Sequence, residues 1–373
     1  MASSKRSVYN FFYILAAVFL LAYIVVTIQE LHHIAGWLLM LFFVSLAVAF
    51  RGGKMLKGLS FTVIIFAAVS IALYYPEYLV EVNGFTLSAL ITPLIQLIMF
   101  GMGTSMSVQD FVGVVKMPKG VILGILCQFT IMPLIGFTLA SLSDFPPEIA
   151  AGMVLIGCSP SGLASNVMSY LAKANLALSI TITAITTLLA PFATPLLMKL
   201  FAGAFVEIDI MKMMWDIVKM VIIPIGGGLL FNKLLSGKAA WLDKAMPLVS
   251  MFGIALIIAI ITAAGRDSLL TIGPLLIVLV LIHNCFGYFL GYGAARLFRM
   301  SERDSRTIAI EVGMQNAGLA SGLAKEMGKI ATVGLAAAVF GPLMNITGSI
   351  LASWWQGKPT GDEDTYVETG RAH

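Results

Sequence analysis

Long apolar runs without a charged residue constrain this chain more than any other feature. Residues 7–29, 34–50 and 58–76 contain no Lys, Arg, Asp or Glu. Further apolar runs cover about 85–109, 120–143, 149–172, 174–198, 216–232, 245–265, 269–295, 306–324 and 330–356, which makes twelve candidate helices. A membrane-spanning strand needs about 10 alternating residues, a helix about 20 mostly apolar ones. These runs are continuous, so they predict helices and not a barrel. Composition agrees: 59% of the residues are hydrophobic and 11% charged, where a soluble domain carries about 25% charged. That balance excludes an ordinary globular fold, a disordered chain, a secreted disulfide scaffold and a nucleic-acid binder. Cys127, Cys158 and Cys285 fall in apolar runs and form neither a disulfide framework nor a metal-ligand spacing.

The first run follows Lys5 and Arg6 but is too long for a signal-peptide core, and no small-x-small cleavage site follows it. Residues 1–56 therefore read as an uncleaved two-helix transmembrane hairpin. Residues 357–373, with the acidic stretch 361–364, read as a solvated cytoplasmic tail. With the N-terminus inside, most of the 23 basic residues fall in inner segments. The outer ones carry only Lys199, Lys212, Arg266, Lys325 and Lys329. The positive-inside rule then predicts a multi-pass protein of the cell (inner) membrane with both termini in the cytoplasm. Arg306 belongs to the inner basic set in this reading. Asp216 and Lys219 pair or snorkel near the outer end of their helix.

Polar residues inside the spans are the informative ones, because a charge at the bilayer centre costs about 2.5–3.5 kcal/mol even on the lenient scale. Glu311 stands with Gly313, Gln315, Asn316 and Gly318 in a single stretch. It is either a carboxylate buried against a neighbouring amide, or part of an unwound helix whose carboxylate and freed carbonyls hold a cation. In 157–166, Pro160 removes a backbone donor, Gly162 loosens the chain, and Ser165 and Asn166 follow. The alternative there is a proline kink with small residues at a helix contact. These two spans are the sixth and the eleventh. Setting the hairpin aside leaves ten helices, two fives related by inversion (57–203 and 204–356), with a broken helix fourth in each. That is the pattern of a secondary transporter. The next span supplies Ser179, Thr181, Thr183, Thr186 and Thr187. Such hydroxyls often bond their own helix. Beside Glu311 and Asn166, however, Ser179 and Thr183 share one face and make an oxygen-rich cage suited to Na+. Gln128 is either an interhelix hydrogen bond or a ligand, and His283 with Asn284 reads as a structural polar contact.

Cys158-Ser-Pro-Ser-Gly-Leu-Ala-Ser-Asn-Val-Met-Ser-Tyr-Leu-Ala-Lys173 resembles the fourth-helix motif of the bile acid:sodium symporter family. Glu311-Val-Gly-Met-Gln-Asn-Ala-Gly-Leu319 resembles its ninth-helix motif, and Phe100-Gly-Met-Gly103 matches a third stretch. The resemblance runs from about residue 57 to 356 and leaves the hairpin outside. It implies an all-α fold with a core domain (about 117–203 and 269–356), a panel domain (about 57–109 and 212–265) and two discontinuous crossing helices. It also implies Na+-driven transport of a small organic anion: bile-acid-like, a steroid conjugate or a small carboxylate. Carried over by motif, a first sodium site would use Ser165, Asn166, Ser179, Thr183 and Glu311. A second would use Gln128, Glu311, Val312, Met314 and Gln315, partly through backbone oxygen. Asn316, at the crossover, would face substrate together with Leu163 and Asn166. The family usually reads Pro-Gly-Gly-Thr where this chain has Pro160-Ser161-Gly162-Leu163, so Leu163 lacks the hydroxyl of a position that can face substrate. The hairpin could be a packing accessory or the contact of a homodimer.

Two other readings remain open from the residues. A proton-coupled or exchange transporter of the same fold would titrate Glu311. A membrane enzyme would need a nucleophile beside a base; Ser159 and Ser161 have no His near them in sequence, and no His-Glu-x-x-His occurs. The expectation is a transporter and not an enzyme.

Overall fold

Each apolar run contains helix in the computed structural model, which describes residues 2–53, 56–106, 114–235 and 240–360. The hairpin is α1 (Ala2–Ile28) and α2 (His32–Phe50). Then come α3 (Ser60–Tyr74), the single turn α4 (Glu77–Val80), strands β1 (Glu81–Val82) and β2 (Phe85–Thr86), and α5 (Ile91–Ser105). They are followed by α6 (Pro118–Leu142), α7 (Pro147–Cys158), α8 (Ala164–Leu171), α9 (Leu176–Ala202), α10 (Ile210–Ile217), α11 (Ile223–Leu235) and α12 (Ala240–Ala264). Last are α13 (Arg266–Leu297), α14 (Glu302–Gly313), α15 (Ala317–Glu326) and α16 (Val333–Gln356). A π turn, Val218–Ile222, joins α10 to α11. Among the described residues, nine helical segments are long and apolar enough to cross a membrane. The other three runs are α3, which has 15 residues, and the two interrupted runs α7–α8 and α14–α15. The chain is an all-α polytopic membrane protein. Residues 107–109 of one run and 361–373 of the tail lie outside the described residues.

The surface fits a bilayer as solvent. Among the described side chains of α1 only Ala16 is buried, while Phe11 and Leu21 are more than half exposed. Water would not tolerate so large an apolar face; lipid does. The hairpin leans on α3: the Ser60 hydroxyl donates to the Ala47 carbonyl at 2.7 Å, and the Tyr75 hydroxyl to the His33 carbonyl at 2.8 Å. One packed group is α3, α5, α11 and α12; another is built around α9, which packs on α6, α7 and α14, with α16 against α7, α13 and α15. The two groups touch through α5 with α15 and α12 with α16.

Three local details differ from the sequence reading. The run at 216–232 begins earlier, at Ile210, because the Asp209 side chain accepts the Lys212 backbone N–H and caps the helix. Lys212 therefore lies in a helix and not in a loop, while the expected Asp216–Lys219 pair forms at 2.8 Å. The eleventh run also begins earlier, at Glu302, where Ser301 caps α14. This places Arg306 inside the protein, 1% exposed. Its Nε meets Glu302 Oε1 at 2.9 Å, and its other nitrogens donate to the carbonyls of Trp355 (3.0 Å) and Pro359 (2.8 Å). A guanidinium can be buried when its forked donors are matched in this way. Finally, β1 and β2 form a two-residue hairpin turning at Asn83 and Gly84, both at positive φ. An Asn-Gly pair favours that turn, and it stands just before the apolar run that begins at about residue 85.

Candidate functional site

Two helices stop in mid-course and meet. α7 ends at Cys158, after which Pro160 can donate no backbone N–H. α14 ends at Gly313. The two extended breaks pair with each other as a single antiparallel bridge between Ser161 and Gln315. Gly162 N–H donates to the Met314 carbonyl at 2.9 Å, and Asn316 N–H to the Pro160 carbonyl at 2.8 Å. Side chains satisfy the remaining groups: Thr194 donates to the Cys158 carbonyl at 2.8 Å, Gln128 to the Ser159 carbonyl at 2.9 Å, and Asn284 to the Gly313 carbonyl at 2.8 Å. Irregular backbone survives at membrane depth only when it is enclosed and paired like this. The approach is close: a Cβ on Gly162 would stand 2.6 Å from the Gln315 carbonyl oxygen.

Glu311 sits one turn before the second break and is fully buried. Ser179 Oγ donates to its Oε1 at 2.5 Å and Thr183 Oγ1 to its Oε2 at 2.8 Å. The four-residue spacing on α9 puts both hydroxyls on one face, as read from the sequence. Ser179 Oγ also stands 2.8 Å from Asn166 Oδ1, and Ser165 Oγ 3.3 Å from Thr183 Oγ1. Ser165, Asn166, Ser179, Thr183 and Glu311 thus form one cluster. Thr181, Thr186 and Thr187 instead bond carbonyls of their own helix. Among the described residues, no Lys, Arg or His forms an ion pair with Glu311.

A second cluster gathers at the Glu311 main chain. Gln128 Nε2 donates to Gln315 Oε1 at 2.8 Å, and Gln315 Nε2 donates to the Val312 carbonyl at 2.7 Å. Gln128 and Gln315 are fully buried. The Met314 carbonyl lies in the same crossing and already accepts Gly162 N–H. Ser161 joins this group through the Glu311 carbonyl, 3.1 Å away. Of the residues of the expected substrate face, Leu163 is 37% exposed and Asn166 is half-buried, whereas Asn316 is buried and caps α15 by accepting Leu319 N–H at 3.0 Å.

Sequence reasoning missed the part of Ser161, which reads there as a small residue beside a helix-breaking proline. It also took Asn284 as a general polar contact. Its particular task is to hold the carbonyl at the break, while Thr347 donates to its Oδ1 at 2.5 Å. A lone amide in an apolar run was the available signal. Both clusters offer oxygen only, and no group of three His, Cys, Asp or Glu side chains among the described residues lies close enough to hold a metal ion. Oxygen ligands with a single carboxylate suit a hard cation of low charge.

The Sodium Bile acid symporter family model matches residues 92–272. The uncharacterized sodium-dependent transporter YocS of Bacillus subtilis is 42% identical over 273 residues, 73% of this chain and 84% of that protein. The probable chloroplastic sodium/metabolite cotransporter BASS1 of Oryza sativa subsp. japonica is 33% identical, over 82% of this chain and 74% of that protein. The ileal sodium/bile acid cotransporter of Homo sapiens is 34% identical, over 63% and 68%.

Proposed function

This chain belongs to the sodium bile acid symporter family of multi-pass, sodium-dependent membrane transporters, and on that premise we propose that it couples two Na+ to the uptake of one small organic anion. The observation that carries the proposal is Glu311. It is a fully buried carboxylate at the crossing of two broken helices, and both its oxygens face hydroxyls. A buried charge without a counter-charge is costly, and a sodium ion supplies the missing one. The first ion uses Ser165, Asn166, Ser179, Thr183 and Glu311. The second uses Gln128, Glu311, Gln315 and the backbone oxygens of Val312 and Met314. Substrate meets Asn316, Leu163 and Asn166 beside the crossing, which explains how a cation site and an anion site communicate: both are built on the same two breaks.

In this reading residues 57–203 and 204–356 are two inverted five-helix repeats. A core (about 117–203 and 269–356) moves against a panel (about 57–109 and 212–265), so that the crossing opens to each side in turn. The packing of α3, α5, α11 and α12 as one group supports that division. Both termini lie in the cytoplasm and the protein sits in the cell membrane. The substrate is bile-acid-like, a steroid conjugate or a small carboxylate. The test is a thermal-stability screen of the purified protein against organic anions, in sodium and in potassium. A binder whose stabilisation requires sodium supports the coupling. Stabilisation equal in both salts, but dependent on pH, would favour proton coupling through Glu311.

A further inference from the structure

One hydroxyl in the crossing has two acceptors and a single hydrogen. Ser161 lies in the extended break between α7 and α8 and is fully buried. Its Oγ stands 3.1 Å from the Glu311 carbonyl oxygen and 3.3 Å from Gln128 Oε1. A serine hydroxyl carries one hydrogen and two lone pairs, so it satisfies only one of these oxygens at a time. Gln128 cannot relieve the shortage, because its Nε2 is engaged with the Ser159 carbonyl and Gln315 Oε1. Nor does Gln315, whose Nε2 donates to the Val312 carbonyl. Three oxygens from three segments, namely α6, the first break and α14, therefore converge with one proton among them. A buried group of acceptors that outnumbers its donors is a place for positive charge.

We propose that Ser161 is itself a sodium ligand: its Oγ joins Gln128 Oε1 and the Glu311 carbonyl oxygen around the second ion. Rotation about Cβ–Oγ turns the hydrogen away from the carbonyl and presents a lone pair to the cation. No bond is made or broken, and no proton leaves the protein. When sodium departs the hydroxyl returns its single hydrogen to one of the two acceptors, so the site exchanges an ion for a hydrogen bond without rearranging its backbone. The backbone is fixed in any case by the Ser161–Gln315 bridge. This proposal rests on the reading of a second sodium site at the crossing and adds a ligand to it.

The test uses the full chain, purified, with thermal unfolding followed through a sodium chloride titration at constant ionic strength against potassium chloride. Ser161→Ala removes the oxygen. Ser161→Cys nearly preserves the volume and the bond donor but replaces a hard oxygen with a soft sulfur. Both are expected to raise the half-saturating sodium concentration on the order of tenfold, about 1.4 kcal/mol. Added to Gln128→Ala, Ser161→Ala should have little further effect, because the two act in one site. Added to Ser165→Ala it should keep its full effect. A wild-type midpoint in both single variants would overturn the proposal. So would a wild-type midpoint in Ser161→Cys alone, since that outcome assigns the residue to packing, and so would full additivity with Gln128→Ala. If the wild-type chain gains no stability from sodium over potassium, the sodium sites themselves are rejected, and Ser161 with them. If sodium stabilises the wild type, Glu311→Ala abolishes the effect and the Ser161 variants are unchanged, only the Ser161 assignment fails.

Discussion

Gly162 carries its meaning in what it lacks. Its missing Cβ would sit 2.6 Å from the Gln315 carbonyl oxygen, which is backbone and cannot swing aside. Gly162→Ala should force the two breaks apart and cost about 1–3 kcal/mol by overpacking. Sodium-dependent stabilisation should be lost along with it; a variant with wild-type melting and wild-type sodium response would show that the breaks tolerate separation. Two buried charges make an instructive contrast at this scale. Arg306 is neutralised where it lies, by Glu302 and by backbone carbonyls. Among the described residues Glu311 meets hydroxyls through its side chain and forms no ion pair, which is why it reads as a partner of a mobile cation while Arg306 reads as structure. From the sequence Glu311 was legible, because a carboxylate in the middle of an apolar run has no cheap explanation. Arg306 was not, because a basic residue at the edge of a run looks the same whether it faces solvent or fills a pocket of carbonyls. Ser161 was hidden for a different reason: its role depends on which oxygens from α6 and α14 arrive beside it.

At the scale of elements, the broken helices were legible and their joints were not. Pro160 and the glycines announced the interruptions, but the pairing of the breaks needs the third dimension. The early starts of α10 and α14 follow from caps, Asp209 and Ser301, that an apolar-run criterion passes over. The hairpin α1–α2 rests on α3 and contributes none of the clustered polar residues. Deleting residues 1–55 is therefore expected to leave the sodium response of the remaining chain intact while lowering yield. A well-folded truncation that no longer responds to sodium would make the hairpin part of the mechanism. A second expectation concerns the joint where α7 begins. The Lys329 ammonium and the Thr332 hydroxyl bond Glu148 and hold its carboxyl below the usual carboxylate range. A carboxyl lowered in the folded state stabilises the fold above its unfolded pKa, and that contribution disappears as the pH falls through the folded value. The group is partly exposed, so the effect is small, about 1 kcal/mol or less. Glu148→Gln should lose this increment at neutral pH and flatten the acid limb of stability against pH; an unchanged acid limb would contradict the assignment.

At the scale of the whole molecule, the proposed pair of ions sharing Glu311 would fix the energetics. Two Na+ with one monovalent anion carry one net charge inward. Each ion supplies about 1.4 kcal/mol per tenfold gradient, and the net charge about 2.3 kcal/mol per 100 mV. Together these can concentrate substrate on the order of a thousandfold, whereas one ion with one anion is electrically silent. Uptake into vesicles should therefore accelerate with an inside-negative potential, and uptake indifferent to potential would reject two ions per monoanion. The helical class and the apolar exterior were legible in the sequence because the bilayer dictates both. The substrate was not, because Leu163 and Asn316 specify a face and not a molecule. The account turns on Glu311 belonging to both ion sites, and the most direct measurement of that claim is equilibrium binding of radioactive sodium to the purified protein. The wild type should bind two ions per chain, with binding lost from both sites in Glu311→Ala. A Glu311→Ala protein that still binds one sodium at wild-type affinity would contradict the shared site.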